Sequence, residues 1–277
     1  GWLHGTIISF FQLPSFVVTL AGFLAWSGVV LIMIGGAGTV VIQDRTITGI
    51  TRTFLSPELG WLIGIITVIL YAVTQMMRYN ARRKSGLSTR PQPIIFAEIV
   101  LLAIGIALVI ILCNSSRGVP LAGVILMILL AGLTYLAENT KFGRYIYAIG
   151  GNKEAARRAG IRVERLRIIV FMVSSLFAGL GGVILAARLG SVATNAGGGD
   201  LLLNSIAAAV IGGTSLFGGR GKVWHAVLGA LVVMSIDNGL GLIPNVSAGA
   251  RSIVTGLVLL TAVIIDAISR RGQQTGR

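Results

Sequence analysis

The chain has 277 residues, of which 55% are hydrophobic and only 12% charged, and its mean hydropathy is +0.88. This composition excludes an ordinary soluble globular protein, because helices that are apolar all round need a shell of polar helices to cover them. The formal net charge of +14 does not indicate nucleic-acid binding, since the cations form no stripe with interleaved aromatic residues. The single cysteine, Cys113, excludes an intrachain disulfide, and the sequence shows no metal-binding cluster.

Long apolar runs between polar breaks predict an all-α, polytopic bundle of about eight transmembrane helices. The predicted spans are 14–34, 60–77, 94–112, 120–137, 168–187, 201–217, 223–240 and 251–268. Two alternatives stay open for 201–217, a full crossing and a re-entrant helix, because the run contains Asn204 and a Gly pair. The chain opens at Gly1 without a methionine or a signal sequence, so we expect further spans upstream in a longer protein.

Lys and Arg residues are concentrated on one side of the predicted bundle. Of the 23 cations, 18 lie in the segments 78–93, 138–167, 218–222 and 269–277. The positive-inside rule makes this side cytoplasmic, and 138–167 is then the longest cytoplasmic loop.

The most polar stretch of that loop, "GGNKEAARRAGIRVERLR" at 150–167, contains six cations and two anions. Asn152 can cap a helix, Glu154 suits the first turn, and Gly160 can end the helix in the left-handed conformation, which predicts a helix over 153–159. Two interpretations fit: a solvated loop whose cations set topology and touch anionic lipid, or a knob that docks in another protein's groove.

Small residues recur every fourth position at Ser174, Ala178 and Gly182. This spacing predicts a place where two helix backbones approach closely in the membrane.

Polar residues within the predicted spans are candidates for a substrate path. Asn204 lies in the sixth span, and Asp237 and Asn238 lie toward the outer end of the seventh. Amide and carboxylate groups suit a hydroxyl-rich ligand. The alternative is that the same groups hold helices together by hydrogen bonds.

The residues of the chain bear on three further classes of activity. A P-loop is absent, because Leu216 and Val223 stand where the motif around Gly221-Lys222 needs a glycine and a hydroxyl. An intramembrane enzyme would need a nucleophile with a base, or metal ligands, and the two histidines form no such motif. An ion-coupled secondary transporter stays open as the alternative, with Asp237 as its main support.

Several motifs in order resemble the membrane permease subunits of bacterial ABC sugar importers of the ribose, galactose and xylose type. They are "LPSFVVTLAG", "TKFGRYIYAIGGNKEAARRAGI", "AGLGGVILAARLGS", "IAAAVIGGTSLFGGRGKV" and "DNGL". The resemblance covers nearly the whole chain, and the long middle at 60–120 is most like the xylose branch. It implies a single permease domain over 1–277 with a cytoplasmic coupling loop at 138–167.

The resemblance also implies a function. The chain would be the non-catalytic transmembrane subunit of an ATP-driven importer that carries a monosaccharide, such as xylose, across the bacterial inner membrane. The chain itself would hold no cofactor, and ATP would be bound by a separate ABC ATPase subunit. An extracytoplasmic sugar-binding protein and a second permease copy in the lipid bilayer are the further partners.

The loop also echoes the "EAA…G" pattern of other ABC importers, which implies that it contacts the ATPase. The implied coupling residues are Asn152, Glu154, Ala155, Ala156 and Gly160. Because the loop lies outside the bilayer, we expect bulky charged residues at Ala155 and Ala156 to uncouple transport without unfolding the protein.

Overall fold

The computed structural model describes the backbone of residues 1–84, 86, 91–216, 218–244 and 246–274, and the side chains there except at 78, 81, 82, 84, 199, 200, 248 and 266–274. Its helices are α1 (Trp2–Phe10), α2 (Ser15–Ile34), α3 (Arg45–Arg52), α4 (Pro57–Lys84), α5 (Gln92–Asn114), α6 (Leu121–Asn139), α7 (Lys141–Gly151), α8 (Lys153–Arg158), α9 (Val163–Leu189), α10 (Gly199–Ile211), α11 (Val223–Gly241) and α12 (Ala248–Gln274). A 3₁₀ turn follows α2 at Gly35–Ala37.

Six helices in the described part of the chain are long and apolar enough to cross a membrane. Their apolar segments are Ser15–Ala37, Pro57–Met77, Gln92–Asn114, Leu121–Asn139, Val163–Leu189 and Val223–Gly241. In the most apolar of them, α5, only 6% of the apolar window is buried inside the chain. Side chains of this kind need an apolar solvent, so the all-α membrane fold predicted from the sequence is confirmed.

The predicted count of eight spans is approximate. The run at 201–217 contains α10, whose 13 residues end at Ile211. At 1.5 Å per residue this helix is about 20 Å long, which is less than the ~30 Å hydrocarbon core. The run at 251–268 lies in α12, whose apolar stretch within the described residues, Gly249–Ile265, is also among the shorter ones.

The chain divides into two compact units. The first contains residues 1–41, 128–183 and 191–277, and the second contains 42–127 and 184–190. In the first unit, β1 (Thr39–Val41) pairs antiparallel with β4 (Ser191–Ala193).

In the second unit, β2 (Phe54–Leu55) pairs antiparallel with β3 (Val119–Pro120). There α4 packs on α5 at Gly64, where an added Cβ would lie 3.1 Å from the Cγ2 of Ile106.

A tight hairpin of α10 and α11 forms the buried core of the first unit. Ala207, Ala208 and Val233 are each at most 8% exposed and pack together. An added Cβ on Gly229 would overlap the carbonyl oxygen of Ala208, and one on Gly212 would overlap that of His225. The two backbones are therefore in direct contact, and the hairpin has no side chains between its helices at these points.

The small-residue spacing on α9 does not produce the predicted close approach within the chain. Ser174, Ala178 and Gly182 are all exposed, and a Cβ added to Gly182 would meet no atom within 4 Å. Direct backbone approach occurs elsewhere, for example in the α10–α11 hairpin, where Gly229 meets the carbonyl of Ala208.

Candidate functional site

The predicted cytoplasmic helix is present as α8, over Lys153–Arg158. The Asn152 side chain caps it, because the Oδ1 atom accepts a hydrogen bond from the backbone N–H of Ala155 at 3.0 Å. Asn152 itself has an extended backbone (φ −154°, ψ 106°), which is the usual conformation of a capping residue. Glu154 in the first turn and Arg157 and Arg158 in the last turn complement the helix dipole.

The C-terminal end of α8 is closed by Gly160. This residue has a φ of +82°, a conformation that glycine adopts without steric cost. The backbone N–H of Gly160 donates to the carbonyl of Arg157 at 3.0 Å, and that of Ile161 donates to the carbonyl of Ala156 at 3.1 Å. These bonds satisfy free carbonyls of the helix end and reverse the chain toward α9.

Arg157 joins α8 to the first turn of α9. Its guanidinium donates to the carboxylate of Glu164, and its other terminal nitrogen lies 3.7 Å from a carboxylate oxygen of Glu154. The hydrogen bond to Glu164 raises the pKa of Arg157 above its ordinary value, so the guanidinium stays charged. Because all three side chains are well exposed, the contacts position α8 more than they stabilise it.

The first turn of α9 is anchored inside the first unit. Val163 is 1% exposed and Leu166 is 9% exposed. The hydroxyl of Ser9 on α1 donates to the backbone carbonyl of Glu164 at 3.4 Å. An added Cβ on Gly5 would lie 2.9 Å from the Cα of Ile168, so α1 and α9 are in close backbone contact. The first turn of α9, which Arg157 of α8 contacts, is therefore held in place by its packing.

The two alanines of α8 have different environments. Ala155 is exposed, whereas Ala156 is 5% exposed. The expectation that both accept bulky charged residues without unfolding is therefore wrong for Ala156, because a larger side chain there must displace its neighbours. Only Ala155 presents its methyl group outward.

Asn204 and Asp237 lie on facing sides of the α10–α11 hairpin. The contacts of Ala208 with Gly229 and of Gly212 with His225 fix an antiparallel register. Extending this register by one turn places Asn204 level with Val233, and Asp237 one turn further along. The two positions are therefore about 6 Å apart along the helix axes.

Asn204 precedes Ala208 and Gly212 at four-residue spacing, and Asp237 follows Gly229 and Val233 at the same spacing. Since residues four apart share a helix face, both polar residues continue the faces by which the helices pack. Asn204 and Asp237 are both partly buried, whereas Asn238 is exposed and lies off this face.

Arg251 on α12 also lies at this end of the hairpin and was not identified from the sequence. An added Cβ on Gly241, one turn beyond Asp237, would lie 3.3 Å from an Arg251 guanidinium nitrogen. The Nε of Arg251 is buried and has no hydrogen-bond partner among the described residues. A signal was present in the sequence: a cation in the first turn of a helix opposes the helix dipole.

The apolar helices, the small-residue hairpin and the capped helix outside the spans define a multi-pass membrane protein. The chain belongs to the family described as "Branched-chain amino acid transport system / permease component", whose model matches residues 1–263. Its resemblance to transport permeases is thereby confirmed.

Individual relatives agree with this assignment. The chain is 39% identical over 271 residues to the xylose transport system permease protein XylH of Escherichia coli. The matched region covers 98% of this chain and 68% of the relative. The chain is 36% identical to the protein of the same name in Haemophilus influenzae, over 98% of this chain and 72% of the relative. The ribose import permease protein RbsC of Escherichia coli matches 149 residues at 44% identity, 54% of this chain and 46% of the relative. No solved structure matches the chain.

Proposed function

We propose that this chain is the membrane-spanning subunit of an ATP-driven ABC importer of the bacterial inner membrane, and that its substrate is a pentose, with xylose as the first candidate. Two relatives with xylose permease names match 98% of the chain, which supports the substrate. A ribose permease matches only 54% of it. The family description supports the transport role and adds branched-chain amino acids as a second substrate class to test.

The observation that carries the proposal is the construction of α8. A six-residue helix is held by a cap at Asn152, a closing turn at Gly160 and a charged contact from Arg157 to α9. A helix held in this way can transmit a push to the spans as a lever. The ATPase subunit contacts α8 from the cytoplasm in this proposal, with the exposed Ala155 in the contact, and supplies the energy by hydrolysing ATP.

Asn204 and Asp237 are proposed to line the substrate path, with Asn238 beside them. The hairpin register supports this role, because it offsets the first two by only about one helical turn, or about 6 Å, along the helix axes, and amide and carboxylate groups suit a hydroxyl-rich ligand. Arg251, whose Nε has no partner in the described part of the chain, lies one turn further on and adds a donor at the same end. An extracytoplasmic binding protein would deliver the sugar to this end, and a second copy of the chain would complete the path.

The test is uptake by proteoliposomes that contain the full-length protein with its ATPase subunit and binding protein. Labelled xylose, ribose and leucine are compared with and without ATP inside the vesicles. We expect ATP-dependent uptake of xylose in excess of the other two. Uptake that continues without ATP and stops with an uncoupler would replace the proposal with the ion-coupled transporter.

A further inference from the structure

Helix α7 contacts the loop that joins α10 to α11 at three points, all within the first unit. The described residues of this loop, 212–216 and 218–222, are called the hairpin loop below. The hydroxyl of Tyr147 donates to the backbone carbonyl of Gly221 at 2.8 Å across 74 residues of sequence. An added Cβ on Gly150 would overlap the backbone nitrogen of Gly219. Cβ atoms added to Gly218 and Gly219 would in turn lie 2.9 to 3.0 Å from the backbone of Gly150 and Gly151.

The contacts of Gly150 and Gly151 with Gly218 and Gly219 are stiff because they join backbone to backbone. A long side chain between two elements can change rotamer and absorb a displacement, but a peptide group cannot. The hairpin loop also has φ values of +96°, +87°, +76° and +139° at Gly213, Gly218, Gly219 and Gly221, which residues other than glycine rarely adopt. Its backbone closes on itself through a hydrogen bond from the Ser215 N–H to the Arg220 carbonyl at 3.2 Å.

The hairpin loop continues without a break into the α10–α11 hairpin. Lys222 is the capping position of α11, and the Thr214 N–H donates to the carbonyl of Ala209 on α10 at 3.0 Å. Because α10 and α11 are themselves in backbone contact, a displacement of the loop moves both helices. Asp237 lies 14 residues beyond Val223, the first residue of α11, which corresponds to about 21 Å along the helix.

On the other side, α7 is nearly continuous with α8. Only Asn152 separates Gly151, the last residue of α7, from Lys153, the first residue of α8. The Asn152 N–H also bonds to the carbonyl of Ala148 at 3.0 Å, so the junction is hydrogen-bonded to α7. A force on α8 therefore reaches the hairpin loop through one helix.

We infer that Tyr147 and the Gly150–Gly219 contact form the joint by which movement of α8 repositions the α10–α11 hairpin, and with it Asn204 and Asp237. Tyr147 is a positioning residue in this inference: it touches neither ATP nor the transported solute. The inference rests on the proposed function, and it assigns the coupling movement to α10 and α11 rather than to α9, which α8 contacts through the exposed Arg157–Glu164 pair.

The first test compares Tyr147→Phe with Tyr145→Phe in the reconstituted importer. Tyr145 lies on the same helix with its side chain exposed, so it is the matched control. The readouts are the amount of assembled complex, ATP hydrolysis stimulated by the loaded binding protein, and solute taken up per ATP hydrolysed. Removal of the hydroxyl takes away one hydrogen bond, and we expect uptake per ATP to fall about fivefold, while assembly and hydrolysis stay as in the wild type.

The second test uses two adjacent glycines. Gly150→Ala forces α7 and the hairpin loop apart, whereas a Cβ on Gly151 meets no atom within 4 Å. We expect Gly150→Ala to lose uptake per ATP and Gly151→Ala to keep it. Should Gly150→Ala fail to assemble, Tyr147→Phe, which removes only one oxygen atom, decides the question.

Three outcomes overturn the inference. Equal uptake per ATP in Tyr147→Phe and Tyr145→Phe would show that the contact carries no coupling. Parallel loss of assembly, hydrolysis and uptake in Tyr147→Phe would make the contact merely structural. Wild-type uptake that does not depend on ATP would remove the proposed function and the joint together, and this arm separates the two failures because it involves no variant.

Discussion

Asn152 offers a direct test of whether the order of α8 matters for transport. Asn152→Ala removes the acceptor that lies 3.0 Å from the Ala155 nitrogen. Loss of an N-cap side chain costs about 1 kcal/mol, or about a factor of five in the equilibrium between the closed helix and its open form. A helix of six residues has few other hydrogen bonds to offset this loss, so the open form gains that full factor.

The assay is amide hydrogen–deuterium exchange over residues 153–159, measured beside ATP-dependent uptake. We expect the protection of this segment to fall about fivefold in Asn152→Ala, because exchange here proceeds through local opening. Asn152→Ser is the matched control, since a serine hydroxyl caps about as well as an amide. Equal protection in wild type and Asn152→Ala would refute the reasoning that the side-chain cap holds α8.

Three other predictions concern α8 and the α10–α11 hairpin. Ala155→Arg should fold normally but lose stimulated ATP hydrolysis, whereas Ala156→Arg should lower the free energy of unfolding by about 1 to 3 kcal/mol because Ala156 is buried. Thermal unfolding and ATPase assays on both variants measure these two effects. Equal stability of the two variants would contradict the reasoning from the burial of Ala156. Asp237→Asn should assemble normally and change the KM for xylose, which uptake at varied sugar concentration measures; an unaltered KM returns Asp237 to a structural role. Lys153→Cys, in a variant that lacks Cys113, should react with a charged maleimide only from the cytoplasmic side. Labelling of intact cells from outside would show that the predicted topology is inverted.

Features that depend on neighbouring residues could be predicted from the sequence. Asn152 and Gly160 lie at the two ends of one short segment, and their effects on the backbone are local, so the helix predicted over 153–159 was observed over 153–158. The end of α10 also has a local signal in the Gly pair after Ile211. This pair alone leaves both a full crossing and a re-entrant helix open.

Features that depend on tertiary contacts could not be predicted. Ala155 and Ala156 are identical in sequence terms, and only the packed structure makes one exposed and the other buried. The bond from Tyr147 to Gly221 joins residues 74 apart, and no periodic pattern marks either of them. The four-residue spacing of small residues on α9 is present in the sequence, but it can serve either a helix contact within the chain or a helix contact with another protein chain. A single sequence does not distinguish these two kinds of contact.

The small size of α8 has a practical consequence for the study of its proposed contact with the ATPase subunit. A free helix of six residues does not form in water, because nucleation costs more than so few hydrogen bonds return. The contacts that order α8 here include Glu164 on α9 and the buried surroundings of Ala156. A synthetic peptide copying residues 150–167 would therefore be a flexible chain and a weak competitor for the ATPase surface. A useful inhibitor of that contact would need a covalent brace that imposes the capped shape from the start.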